Sequence, residues 1–114
     1  MSEAPKHRAF FGDAEQDFAL PFDMVTELER VTGRGIGGLV RDLFAGNFHH
    51  REIIETIRLG LIGGGATPQI AAAMIKAYAE NRPLNETYPL AVSILENLYF
   101  GRAKDAPKTK RARK

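Results

Sequence analysis

Cysteine is absent from this sequence, and long apolar runs are absent as well. Without cysteine, the chain has no disulfide framework, no thiolate metal site and no cysteine nucleophile. No apolar run approaches the roughly 18 residues that are needed to cross a membrane. The first ten residues, MSEAPKHRAF, contain no apolar stretch of the kind found in secretion signals. We therefore expect a protein that acts in the cytoplasm and does not contact the membrane.

The residue types that form catalytic and metal sites are also scarce. Serine occurs only at Ser2 and Ser93, and Ser93 falls within a helical pattern. His49 and His50 precede Glu52, but adjacent helical residues point about 100° apart and a zinc site needs three or four ligands. We therefore expect no catalytic residue, no cofactor and no metal, and two exposed histidines at a helix start. The carboxylates interpreted as lying on solvated helix faces are Glu27, Glu29, Glu52 and Glu55.

Charge is distributed unevenly along the 114 residues, whose formal net charge is +2. The last thirteen, RAKDAPKTKRARK, contain seven basic residues and one aspartate, a local charge of +6. Nine basic and thirteen acidic residues remain for the rest of the chain, which therefore carries −4. The length suggests one domain. We expect a disordered N-terminus over residues 1–8, a folded domain over 9–101 and a disordered basic tail over 102–114.

The N-terminal part of the domain carries the period-2 pattern of a half-buried strand. Phe18, Leu20 and Phe22 alternate with polar or small residues, and Pro21 marks the end of the strand. The short Gly12-Asp13 connection after Ala9-Phe10-Phe11 predicts a β-hairpin. Because a lone hairpin is marginal in water, it must pack against the rest of the domain.

Helical periodicity dominates the remainder of the domain. The sequence predicts a mainly α fold, a compact bundle of about five short helices with a small N-terminal β-hairpin. Asp23 is the expected N-cap of the first helix and Gly33 its end, while Gly46 ends the second. The residues expected to face the core are Val25, Leu28 and Val31; Ile36, Leu39, Val40, Leu43 and Phe44; Ile53, Ile54, Ile57 and Leu61; Ile70, Met74 and Tyr78; and Ala91, Ile94, Leu95 and Leu98.

Three consecutive glycines follow the third predicted helix in the string RLGLIGGGATP. A phosphate-binding Walker loop requires a lysine after its last glycine, and a dinucleotide fingerprint requires a preceding strand. Neither is present here. The run favours a structural hinge between two helices, with glycines that allow unusual backbone angles or close approach and a Thr-Pro pair that starts the next helix. The hinge residues are Gly63, Gly64, Gly65, Thr67 and Pro68.

Nucleic-acid binding is an alternative function. Residues 39–61 could form a helix-turn-helix with Ala45-Gly46-Asn47 as the turn. Its second helix, however, would present Glu52 and Glu55 to the phosphates, which is unfavourable. The basic tail could bind nucleic acid weakly and without sequence preference, or it could equally keep the protein soluble. The candidate residues are Lys108, Lys110, Arg111, Arg113 and Lys114.

The string from Arg58 to Gly65, RLGLIGGG, resembles a signature of small tail proteins from gene-transfer-agent and prophage tail clusters. The resemblance covers about Phe10 to Gly101 and leaves out the basic tail. The supporting patterns are Leu28-Glu29 with Thr32-Gly33-x-Gly35, Leu43-x-x-Gly46-x-Phe48, Tyr78 with Arg82-Pro83-Leu84, and Ala91 with Ile94-Leu95.

This resemblance implies a non-enzymatic tail-assembly chaperone, a type of protein sometimes labelled a tail tube protein. Such chaperones coat the tape-measure protein before tube subunits polymerise around it. The expected partners are therefore the tape-measure protein and other tail proteins, and self-association is compatible with the resemblance. A structural role in the tail tube is a further alternative. Methionine and aromatic residues suit adaptable binding; the candidates, which could instead fill the core, are Met74, Tyr78, Tyr99 and Phe100.

Overall fold

A computed structural model describes residues 4–101 of the protein. In this range five helices pack together with one antiparallel two-stranded hairpin, which confirms the predicted mainly α fold. The elements are β1 (Lys6–Phe11), β2 (Ala14–Ala19), α1 (Phe22–Thr32), α2 (Ile36–Phe44), α3 (His50–Gly63), α4 (Pro68–Tyr78) and α5 (Leu84–Phe100).

The hairpin is closed by the two-residue turn Gly12-Asp13, because Phe11 pairs with Ala14. Gly12 has φ of 75°, a value that suits the first position of a hairpin turn and that only glycine adopts easily. Strand β1 begins at Lys6. Residues 6–8 therefore belong to the folded hairpin, where we expected a disordered N-terminus.

The end of the hairpin differs from the predicted pattern. Strand β2 ends at Ala19, and Phe22 is the first residue of α1, with 87% of its surface exposed. The predicted inward position of Phe22 is therefore wrong, because the chain changes from period 2 to the helical period at Pro21. Asp23 is likewise not the N-cap; it lies in the first turn of α1, where its negative charge complements the helix dipole.

Helix α3 lies at the centre of the fold. It packs against β2, α1, α4 and α5. Its buried side chains include Ile53, Ile57, Leu59 and Leu61, and burial on several sides explains why they are not confined to one stripe. The other large apolar side chains that are fully buried in the core belong to Phe18, Leu28, Leu39, Leu43, Ile94 and Leu95.

Helix α4 is rotated relative to the predicted phase. Ala71, Ile75 and Ala79 face the core, whereas Ile70, which we expected inside, is 54% exposed. Ile70 lies beside this inward face, at the groove that Leu61 of α3 also lines. Met74 and Tyr78 are half-buried at the border between the two faces.

Candidate functional site

The glycine run joins α3 to α4. Gly63 is the last residue of α3, Gly64 caps it, and Gly65 has φ of 123°. The next helix begins at Pro68, and the Thr67 hydroxyl accepts a hydrogen bond of 3.1 Å from the Ile70 amide. The chain thus passes from α3 to α4 within a few residues. Gly64 caps the end of the first helix, and Thr67 with Pro68 starts the second.

Two of these glycines are also in tight contact with the hairpin. A Cβ atom on Gly63 would overlap the carbonyl oxygen of Ala19, and one on Gly64 would overlap the carbonyl oxygen of Asp17. The outer edge of β2 therefore rests directly on the C-terminal end of α3. Any larger residue at these two positions would push the hairpin away.

This close approach creates a groove between α4 and the hairpin, which we call the α4 groove. It is a cavity of about 330 Å³. Leu61 and the backbone of Gly64, Gly65 and Ala66 contribute to its lining. Ile70 and Met74 line the side formed by α4, and Arg8, Glu15, Gln16 and Asp17 line the side formed by the hairpin. One wall is thus apolar and the other polar.

The polar wall carries an ion-pair network. Arg8 Nη1 donates to Asp17 Oδ1 at 2.8 Å, and Arg8 Nε donates to Glu15 Oε1 at 3.0 Å. The hydrogen bonds to Asp17 and Glu15 raise the pKa of Arg8 above its ordinary value. Asp13 continues the alternation of acidic residues at the hairpin turn. Lys6 lies on the same face of β1 as Arg8, so three carboxylates accompany two basic side chains and the hairpin side carries a net charge of −1.

The four candidate partner-binding residues lie on two helices, Met74 and Tyr78 on α4 and Tyr99 and Phe100 on α5. Met74 lines the α4 groove. Tyr78 packs edge-on against Phe11, with ring centroids 5.9 Å apart, and its ring also lies against Gly12. It therefore joins the end of α4 to the hairpin turn.

Tyr99 and Phe100 lie in the last turn of α5 and are 66% and 68% exposed. Their rings meet edge to face with centroids 4.9 Å apart. The pair is an exposed aromatic surface. These two side chains therefore do not fill the core, which was the alternative to partner binding.

The start of α3 is held by a buried carboxylate. Glu52 is 2% exposed, so its assignment to a solvated face is wrong. Its Oε1 accepts from the His49 amide at 2.9 Å, and its Oε2 accepts from Arg34 Nη1 at 3.0 Å. Burial alone would raise the pKa of Glu52, but the hydrogen bonds from His49 and Arg34 outweigh it and lower the pKa. The signal in the sequence was a glutamate three residues after a helix N-cap.

Arg34 extends this network to α2. It donates to the Gly38 carbonyl at 3.0 Å and forms an ion pair with Asp42. The side chains of His49 and His50 are exposed beside the network. Its geometry indicates a structural cross-link between the α1–α2 loop, α2 and α3.

Among residues 4–101, no group of three or more His, Asp or Glu side chains could hold a metal ion. No helix in this range is long and apolar enough to span a membrane. The nucleic-acid candidates Lys108, Lys110, Arg111, Arg113 and Lys114 lie outside the described residues.

Comparison with known proteins identifies the family. The profile of the family described as "phage tail tube protein, GTA-gp10" matches residues 4–101. The chain therefore belongs to this family, which agrees with the resemblance found in the sequence. A search of curated proteins and a search of solved structures found no match. The family match covers the whole described fold, including the hairpin and the glycine turn.

Proposed function

We propose that this phage-tail protein is a non-enzymatic tail-assembly chaperone that binds the tape-measure protein in the cytoplasm. The observation that carries the proposal is the exposed aromatic pair, Tyr99 and Phe100, at the end of α5. Large apolar groups that remain accessible on a helical scaffold are what a holdase needs in order to shield an apolar partner.

A long helical partner can be held by many weak contacts rather than by one strong one. Each chaperone copy needs only modest affinity, because neighbouring copies on the same partner act together. Aromatic side chains bind varied apolar surfaces at low entropic cost, and methionine adapts its shape. The exposed pair at Tyr99 and Phe100 and the half-buried Met74 suit this mode of binding.

Co-expression with the tape-measure protein tests the proposal. We expect a soluble complex that copurifies, and we expect Tyr99→Ser combined with Phe100→Ser to reduce the yield of complex. Phe22→Ser is the matched control, because Phe22 is an exposed aromatic residue at the start of a different helix. A tape-measure protein that stays insoluble and unbound in the presence of the wild-type chain would rule the proposal out.

A structural role in the tail tube is the second candidate, favoured by the wording of the family description. The two roles differ in where the protein ends up. A tube subunit is a stoichiometric component of the mature particle, whereas a chaperone is released before tube assembly is complete. Quantifying the chain in purified particles against the major tube subunit separates them, and comparable amounts would favour the tube role.

A further inference from the structure

We propose that the α4 groove binds an amphipathic helix of the partner, with apolar side chains directed at α4 and basic side chains directed at the hairpin. The identity of that partner as the tape-measure protein rests on the proposed function. The existence and chemistry of the site rest on the groove itself.

The apolar wall extends beyond the part of α4 that the core uses. Ile70, Ala73, Met74 and Ala77 follow the i, i+3, i+4, i+7 spacing of one helix face. Ile70, Ala73 and Ala77 are exposed, and Met74 is half-buried. Lys76 is the one charged residue in the sequence of α4. A second helix laid along this face would bury apolar surface that now contacts water, and the alanines would allow close approach.

The polar wall determines the charge of the occupant. The outward side of β2 carries Glu15 and Asp17, the turn carries Asp13, and Arg8 and Lys6 on β1 offset two of these three charges. A helix that contacts Ile70 and Met74 would have one flank beside this net negative face. Lysine or arginine on that flank is complementary, whereas glutamate or aspartate is repelled.

The shape of the groove favours anchoring side chains. Its volume of about 330 Å³ lies at the small end of the range for ligand pockets, and it is continuous with the exposed face of α4. Such a site accepts a few aliphatic side chains from a helix that lies across it. The chain's own C-terminal segment RAKDAPKTKRARK is basic but contains no large apolar residue to fill the apolar wall. We therefore assign the groove to a partner helix.

Binding of the tape-measure protein by single-residue variants tests the assignment. We expect Ile70→Asp to weaken binding by about tenfold or more, because it places a charge on the apolar wall. Leu84→Asp is the matched control, since Leu84 is an exposed aliphatic residue at the start of α5. We expect Glu15→Lys, on the polar wall of the groove, to weaken binding most at low salt, with Glu96→Lys as its control on α5. Thermal unfolding of each variant shows whether it is folded.

The outcomes separate the site from the function. If the wild-type chain binds and the groove variants bind as well as their controls, the groove assignment is wrong and the chaperone proposal stands. If the wild-type chain does not bind the tape-measure protein, two designed helical peptides with identical apolar faces and either lysine or glutamate flanks test the groove directly. Binding of the lysine peptide to wild type but not to Ile70→Asp supports the groove, and equal or absent binding overturns it. If Ile70→Asp only converts an oligomer into a monomer, the occupant is a second copy of this chain and the partner-helix assignment is wrong.

Discussion

Gly64→Ala should destabilise the protein even though it adds a single methyl group. The added Cβ would overlap the carbonyl oxygen of Asp17 and lie close to the amide nitrogen of Phe18. These are backbone atoms in a paired strand, and they cannot rotate away as a flexible side chain could. Either the hairpin shifts outward or the end of α3 deforms.

The magnitude follows from two opposing effects. Overpacking a tight contact costs about 1–3 kcal/mol. Replacing glycine by alanine restricts the unfolded chain and returns about 0.4–1 kcal/mol. The free energy of unfolding should therefore fall by about 1–2 kcal/mol, which lowers the melting temperature of a domain of this size by roughly 5–10 °C.

The control is Gly37→Ala in α2. A Cβ at Gly37 would meet no atom within 4 Å. Alanine is a better helix former, so this variant should be stabilised by about 0.5 kcal/mol. Urea titration of the wild type and both variants measures the difference. A Gly64→Ala protein as stable as wild type, or a Gly37→Ala protein that loses as much as Gly64→Ala, would refute the close-approach argument.

Three further predictions concern the core, the buried carboxylate and the tail. Phe18→Ala should lower the free energy of unfolding by about 3–5 kcal/mol in urea titration, because Phe18 is fully buried. Glu52→Gln should destabilise the fold at neutral pH by about 1–3 kcal/mol, because Arg34 loses a charged partner. The pKa of Glu52 is lower in the folded state, so its contribution is complete above the ordinary glutamate pKa and is lost as pH falls from there through the lowered folded-state pKa. The free energy of unfolding of the wild type should therefore fall as pH is lowered through this range. That of Glu52→Gln should fall less. Retention of the protein on immobilised DNA should fall as salt is added, and it should vanish when residues 102–114 are removed. If the truncated protein is retained as well as the full chain, the tail is not the source of DNA binding.

Local patterns predicted the helices well because each helix carries its own periodicity and its own end signals. Gly33 ends α1, and Thr67 with Pro68 starts α4, as expected from residues within one turn. The errors lie at residues whose burial depends on contacts with residues that are distant in the sequence. Glu52 was assigned to solvent because its partner Arg34 is 18 residues away in sequence. Ile70 was assigned to the core because it shares the helical period with Met74 and Tyr78, but the face of α4 that packs inward carries Ala71, Ile75 and Ala79.

The candidate site was only partly predictable for the same reason. The sequence placed Met74 and Tyr78 on one helix, and it placed Tyr99 and Phe100 at the end of another. It could not show that Glu15 and Asp17 face Ile70, because that pairing depends on how the hairpin docks. The alternation of Glu15 and Asp17 was the available signal, since period 2 in a strand places both on one face.

The glycine turn connects the fold to the proposed site. Gly63 and Gly64 let β2 rest on the end of α3, and this docking places the acidic side of the hairpin opposite Ile70 and Met74. Substitution at Gly64 should therefore reduce both stability and partner binding, whereas Ile70→Asp should reduce binding alone. A Gly64→Ala protein that is destabilised but binds its partner with unchanged affinity would mean that the hairpin wall contributes nothing to recognition. The apolar face of α4 would then account for binding by itself, and the preference for a basic flank would be lost.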